Sequence, residues 1–140
     1  MSSIRVLVVE DFAPFVQLIR STLAKRSDLR VICEVADGLV AVQKAEVLEP
    51  DLVLLDIGLP TLQGIEAARQ IRKLAPESKI IFVSQESSPE VVQEALNLGA
   101  GAYVVKTSAA IDLLAAVEAV LEGRPFVSVG LVGGRTSLAS

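Results

Sequence analysis

Histidine and tryptophan are absent from this 140-residue chain, and it holds one cysteine, one tyrosine and four phenylalanines. Without histidine, serine and cysteine triads lose their usual general base. With a single cysteine as well, the soft ligands of zinc sites are missing. That cysteine, Cys33, lies in Val31-Ile32-Cys33, where a thiol packs as a small core residue. No uninterrupted apolar stretch approaches the ~20 residues of a bilayer helix. Met1-Ser2-Ser3 runs directly into a strand pattern, with no basic-then-apolar leader and no small-residue cleavage site. A cytoplasmic protein that does not engage a membrane is expected. Thirteen Lys and Arg against 17 Asp and Glu give a net charge of −4. That balance argues against direct nucleic-acid binding by this segment, because phosphate contacts need clustered cations. Any metal it takes is expected to be hard and oxygen-seeking.

What the chain does have is alternation. Apolar runs bounded by turn residues predict strands at Ile4–Val9, Arg30–Val35, Leu52–Leu55, Lys79–Val83 and Ala102–Val105. Helical patterns lie between and after them, at Pro14–Arg26, Leu39–Leu48, Gly64–Leu74, Pro89–Leu98 and Ile111–Glu122. Pro14 and Pro89 suit first-turn positions, and Gly99 and Gly123 suit helix stops. Such alternation implies right-handed crossovers and an α/β fold with a parallel sheet covered on both faces. Strands buried on both faces should be apolar throughout, as Leu52–Leu55 and Ile80–Val83 are. The length suits one domain, placed at residues 1–130, with 131–140 as a tail or linker stub; Phe126, Val127 and Val129 are expected to pack on the domain.

Polar residues then fall where each apolar strand stops. Glu10 and Asp11 follow the first strand, Asp56 the third, Ser84 the fourth and Lys106 the fifth. In an open parallel sheet these ends share the carboxyl edge, where ligands bind. Three carboxylates within several ångströms repel pairwise by about 3 kcal/mol at an effective dielectric near 20. Mg²⁺ takes carboxylate, backbone carbonyl and water oxygens, and with the Lys106 ammonium it brings the local charge to zero. A neutral, half-open crevice of this kind suits a phosphoryl group. Ser84 stands ready to donate to a phosphoryl oxygen, and Gly58 can lend its carbonyl to the metal with no side chain in the way. Tyr103 lies within the last strand, its ring free to turn inward or outward.

Each feature has a plainer explanation. Glu10 and Asp11 suit the start of the following helix, Asp56 a solvated turn, Lys106 a solvated strand end, and Ser84 a helix cap. Their joint placement on one edge outweighs these readings.

Glu10-Asp11, the segment Pro50-Asp51-Leu52-Val53-Leu54-Leu55-Asp56-Ile57-Gly58-Leu59-Pro60, Gly64, Ser84 and Val104-Val105-Lys106 together resemble a bacterial response-regulator receiver domain of the CheY-like kind, from about Ile4 to Glu122. The resemblance implies a flavodoxin-like (βα)5 fold with five strands in the order 2-1-3-4-5. It implies a two-component phosphorelay in which a sensor histidine kinase donates a phosphoryl group to Asp56. In that family Glu10, Asp11, Asp56 and the Gly58 carbonyl would hold Mg²⁺, Lys106 and Ser84 would contact the phosphoryl group, and Ser84 and Tyr103 would form the switch pair. As in the family, the ring would turn inward as the hydroxyl moves toward the phosphoryl oxygens. Glu86, two residues after Ser84, would tune the lifetime of the phosphorylated state.

Val31-Ile32-Cys33-Glu34-Val35-Ala36-Asp37-Gly38, Asn97-Leu98-Gly99-Ala100 and Glu122-Gly123-Arg124-Pro125-Phe126-Val127-Ser128 look most like receivers of the LuxR-type helix-turn-helix subgroup. The implied output is transcription through a DNA-binding domain outside this chain, with homodimerisation on phosphorylation as a candidate step. The chain departs from the family at Phe12, often polar there, at Gln63, often acidic, and at Thr107, often proline. The last leaves cis or trans open for the peptide after Lys106.

Two other classes compete. A haloacid-dehalogenase-like phosphatase also uses a strand-end aspartate with Mg²⁺, but it wants a second Asp where Gly58 stands. An interaction module that is never phosphorylated shares the fold, although here every ligand residue is present. A nucleotide-binding loop is disfavoured, because no G-x-x-x-x-G-K-[ST] occurs. The expectation is a phosphoacceptor that catalyses only its own phosphotransfer and slow dephosphorylation, and no enzyme beyond that.

Overall fold

A computed structural model describes residues 3–128, so Met1, Ser2, Val129 and the proposed boundary near Gly130 lie outside the described residues. The strands are β1 (Ile4–Val9), β2 (Leu29–Val35), β3 (Leu52–Leu55), β4 (Lys79–Ser84), β5 (Ala102–Val105) and β6 (Phe126–Val127). The helices are α1 (Ala13–Leu23), α2 (Gly38–Leu48), α3 (Gly64–Leu74), α4 (Pro89–Asn97) and α5 (Ala109–Leu121). Every strand pairing is parallel, in the order β2-β1-β3-β4-β5-β6.

The expected five-stranded sheet is therefore corrected to six strands. After α5, Gly123 turns the chain at φ 78°. Phe126 and Val127 then pair with Ala102 and Tyr103. Ser128, fully buried, continues the contact: its N–H donates to the Tyr103 carbonyl at 3.0 Å, and its Oγ accepts from the Val105 N–H at 3.0 Å. β6 thereby covers hydrogen-bonding groups that β5 would present as an edge. A two-residue strand is too short to carry a readable period, which is why the sequence pattern shows only that these residues pack.

Strand side chains alternate between faces, and both faces are apolar. Leu7, Val53, Leu55, Phe82 and Tyr103 pack with Ala41 and Ala45 of α2, Ile71 of α3 and Val92 of α4. Val6, Val8, Leu54, Ile81 and Val104 pack on the other face with Phe15 and Ile19 of α1 and Leu113 and Val117 of α5. Helix ends differ from the sequence pattern by a few residues. α1 stops at Leu23, because Lys25 and Arg26 donate to Thr22 and Leu23 and tighten the last turn. α5 starts at Ala109, after a 3₁₀ turn over Lys106–Ser108. No cis peptide occurs among the described residues, so the Lys106–Thr107 bond is trans.

Candidate functional site at the carboxyl edge

The site begins where the β1 and β3 ladders run out. Val9 pairs with Leu55, and one step on the Asp56 N–H donates to the Val9 carbonyl at 3.1 Å, while the Glu10 N–H donates to the Val35 carbonyl at 3.0 Å. The main chain thus carries Glu10 and Asp56 side by side off the end of the sheet. Glu10 is 3% exposed and Asp56 6%, whereas Asp11 points to solvent. Carboxylate oxygens of the three lie within 4.8 Å of one another.

Lys106 completes the cluster from β5. Its Nζ donates to Glu10 Oε2 at 2.9 Å and to Asp56 Oδ2 at 3.4 Å, with 12% of its side chain exposed. The other Asp56 oxygen accepts the Gly58 N–H at 3.3 Å, so both ends of that carboxylate are oriented. Glu10 Oε2 also takes the Phe12 N–H at 3.1 Å, while Oε1, equally buried, ion-pairs with Lys106 Nζ at 2.9 Å without accepting a hydrogen bond. Burial pushes the Glu10 carboxyl above its ordinary range; the Lys106 hydrogen bond opposes this, and the neighbouring Asp56 charge adds to it.

These contacts answer the plainer readings. Asp56 and Lys106 are not solvated, and the cap of α4 is Ser88, whose hydroxyl accepts the Val91 N–H. Ser84 instead is the last residue of β4, 3% exposed and paired in register with Val105 beside Lys106. Its Oγ accepts the Glu86 N–H at 3.0 Å, and the Glu86 carbonyl accepts the Tyr103 hydroxyl at 2.7 Å. The peptide groups of one residue therefore join the expected switch pair. The Glu86 side chain is exposed, and it is the backbone of this residue that forms the link. Tyr103 is turned inward and fully buried against Phe82, and burial pushes its phenol up to about 12, with the Ser84 hydroxyl pulling the other way.

A Cβ at Gly58 would meet no protein atom within 4 Å, so packing does not require glycine there. Gly64 and Gly38 carry that constraint, because a Cβ would strike the Asp56 carbonyl at the first and the Leu62 carbonyl at the second. Gly64 also donates its N–H to the Ile57 carbonyl at 2.7 Å, which closes the loop behind Asp56. Sequence reasoning missed Phe15, whose ring centroid lies 4.8 Å from Lys106 Nζ. Its place on the apolar face of α1 marks it only as core.

The donor set fits a hard cation. Three carboxylates bring oxygens together, and buried Glu10 Oε1 among them accepts no hydrogen bond, being held only by its charge contact with Lys106.

A parallel doubly wound sheet bearing an acid pair, a strand-end aspartate and a lysine on one edge defines a receiver. The chain belongs to the response regulator receiver domain family, whose model matches residues 6–118. It is thus the signal-receiving module of a two-component response regulator. It is 36% identical over 121 residues to the response regulator protein VraR of Staphylococcus aureus, covering 86% of this chain and 58% of that protein. The chain therefore spans somewhat over half the length of the curated relative it matches. A LuxR-family two-component response regulator from Aurantimonas sp. SI85-9A1 superposes with a TM-score of 0.89 at 29% identity, covering 99% of both chains. The LuxR-type subgroup expected from the sequence is borne out by that likeness. A CheX-CheY-BeF3-Mg complex from Borrelia burgdorferi aligns with a TM-score of 0.79 at 26% identity, over 86% of this chain and 90% of that one. Among the described residues, no helix is long and apolar enough to cross a membrane.

Proposed function

We propose that Asp56 accepts a phosphoryl group from a phosphohistidine of a sensor histidine kinase. The observation that carries this reading is the orientation of its buried carboxylate, one oxygen held by the Gly58 N–H and the other facing Lys106. An Asp56 oxygen forms a new bond to phosphorus as the donor's phosphorus–nitrogen bond breaks. The electron pair returns to the imidazole, which takes a proton from solvent. Glu10, Asp11, Asp56 and the Gly58 carbonyl are the groups that would hold Mg²⁺. When bound, the ion offsets negative charge on the phosphoryl oxygens; its occurrence in the Borrelia complex supports this choice.

Lys106 turns from Glu10 toward the transferred group, and the Ser84 hydroxyl donates to a phosphoryl oxygen. Because Ser84 and Tyr103 share the peptide groups of Glu86, movement of Ser84 is felt at the phenol. Moving such a switch from 1:99 to 99:1 takes about 5.5 kcal/mol of differential stabilisation, within reach of a few charge-assisted hydrogen bonds. The exposed Glu86 carboxylate tunes the lifetime of the acyl phosphate. The protein acts in the cytoplasm as a stoichiometric acceptor and not as a turnover enzyme. Its output is transcription through a DNA-binding domain of the LuxR type, with a homodimer formed on phosphorylation.

Incubation with Mg²⁺ and acetyl phosphate is expected to add one phosphoryl group per chain by intact mass, and Asp56→Asn to abolish it. A label that survives the substitution refutes the assignment. Repeated turnover of a phosphomonoester would identify a phosphatase instead, and a chain that never labels would be an interaction module.

A further inference from the structure

The Lys106 ammonium is enclosed on three sides: by Glu10 at 2.9 Å, by Asp56 at 3.4 Å, and by the Phe15 ring, 4.8 Å from Nζ to centroid. The third side differs from the others in kind. A carboxylate or carbonyl there would hold a hydrogen bond and compete with an arriving phosphoryl oxygen. A ring face attracts the cation through its quadrupole without taking up its hydrogens as a strong acceptor would. Phe15 is well placed for this, because the Phe15 N–H donates to the Phe12 carbonyl at 2.9 Å, Pro14 stiffens the first turn of the helix before it, and the residue is only 8% exposed.

We propose that Phe15 is a positioning residue for phosphoryl transfer, its aromatic face holding the Lys106 ammonium at the acid cluster while leaving its hydrogens free to turn from Glu10 to the group accepted by Asp56. The inference rests on the phosphoacceptor reading above. An ordinary core role needs apolar volume at this position, which leucine largely supplies. The proposed role needs the π face, which tyrosine keeps.

Phosphorylation by acetyl phosphate at saturating Mg²⁺ separates the two. Phe15→Leu is expected to slow labelling of Asp56 about 3- to 10-fold, the range for a partly desolvated cation–π contact, and Phe15→Tyr to remain near the wild-type rate. Phe15→Leu should have no further effect in a Lys106→Met background. The Lys106 ε-methylene protons should show a ring-current shift that Phe15→Tyr retains and Phe15→Leu loses, a readout independent of phosphorylation. A folded Phe15→Leu protein that labels at the wild-type rate overturns the proposal. So does Phe15→Tyr as slow as Phe15→Leu, or an undiminished effect without Lys106. An unlabelled wild-type chain would instead remove the phosphoacceptor reading, and this proposal with it.

Discussion

Two ion pairs in this molecule use similar chemistry to opposite ends. On the outside, Arg20 of α1 grips Glu34 of β2 through hydrogen bonds of 2.8 and 2.6 Å, with side chains 50% and 31% exposed. At the carboxyl edge, Lys106 meets Glu10 and Asp56 with almost no solvent between them. The outer pair is balanced, one charge against one, and each partner favours the other's charged form: Arg20 is shifted up and Glu34 down. In the inner cluster one ammonium contacts two carboxylates, with Asp11 as a third beside them, and burial raises the Glu10 carboxyl against the opposing pull of Lys106. The outer pair only joins a helix to a strand. The inner one holds excess negative charge at a place where a cation and a phosphoryl group can use it.

The sharpest test removes Lys106. Lys106→Met leaves Glu10 and Asp56 facing each other without that ammonium and should lower unfolding stability by about 3 kcal/mol in metal-free buffer. Asp56→Asn, which removes one of the repelling acids, should leave stability unchanged or raise it. Equal losses in urea denaturation would mean that the inner cluster is as balanced as the outer pair.

A smaller effect comes from the ion itself. Mg²⁺ at ten times its dissociation constant should add about 1.4 kcal/mol to unfolding stability. Arg20→Ala should keep that gain and Asp11→Asn reduce it; a gain unaffected by Asp11→Asn places the ion elsewhere.

The smallest effect is in acid. Glu34 is held below its ordinary 4.5 by Arg20, so its contribution is complete above that value and is lost as pH falls through the lower folded pKa. Glu10 has the opposite sign. Its raised carboxyl favours the protonated form in the folded state, so that contribution is present in acid and lost as pH rises through the folded value. Glu34→Gln should therefore flatten the acid limb of the stability profile and Glu10→Gln steepen it, read from denaturation midpoints between roughly pH 3 and 6. Identical profiles for the two variants would contradict the assigned signs.

Much of this was legible in the chain because strands buried on both faces stay apolar until they leave the sheet. Asp56 after Leu52–Leu55, and Lys106 after Ala102–Val105, are polar at the first step where burial by helices ends. Features that depend on contact were not legible. Glu86 joins Ser84 to Tyr103 through atoms that every residue possesses, so no side chain announces it. Ser128 shows no role in the sequence until its buried hydroxyl is seen against Val105. Gly58 draws the eye beside Asp56, yet the backbone needs glycine at Gly64 and Gly38.

The order of residues by itself determined the alternation of strands and helices, the edge on which polar groups emerge, and the chemical kinds available there. Those depend on periodicity and on where hydrophobicity stops, both local properties. Tertiary structure alone decided that Phe15 faces the Lys106 ammonium, that Glu10 is buried against that same ammonium, and that a sixth strand closes over β5. Each depends on the separation of groups far apart in the chain, and desolvation and Coulomb energies are functions of that separation.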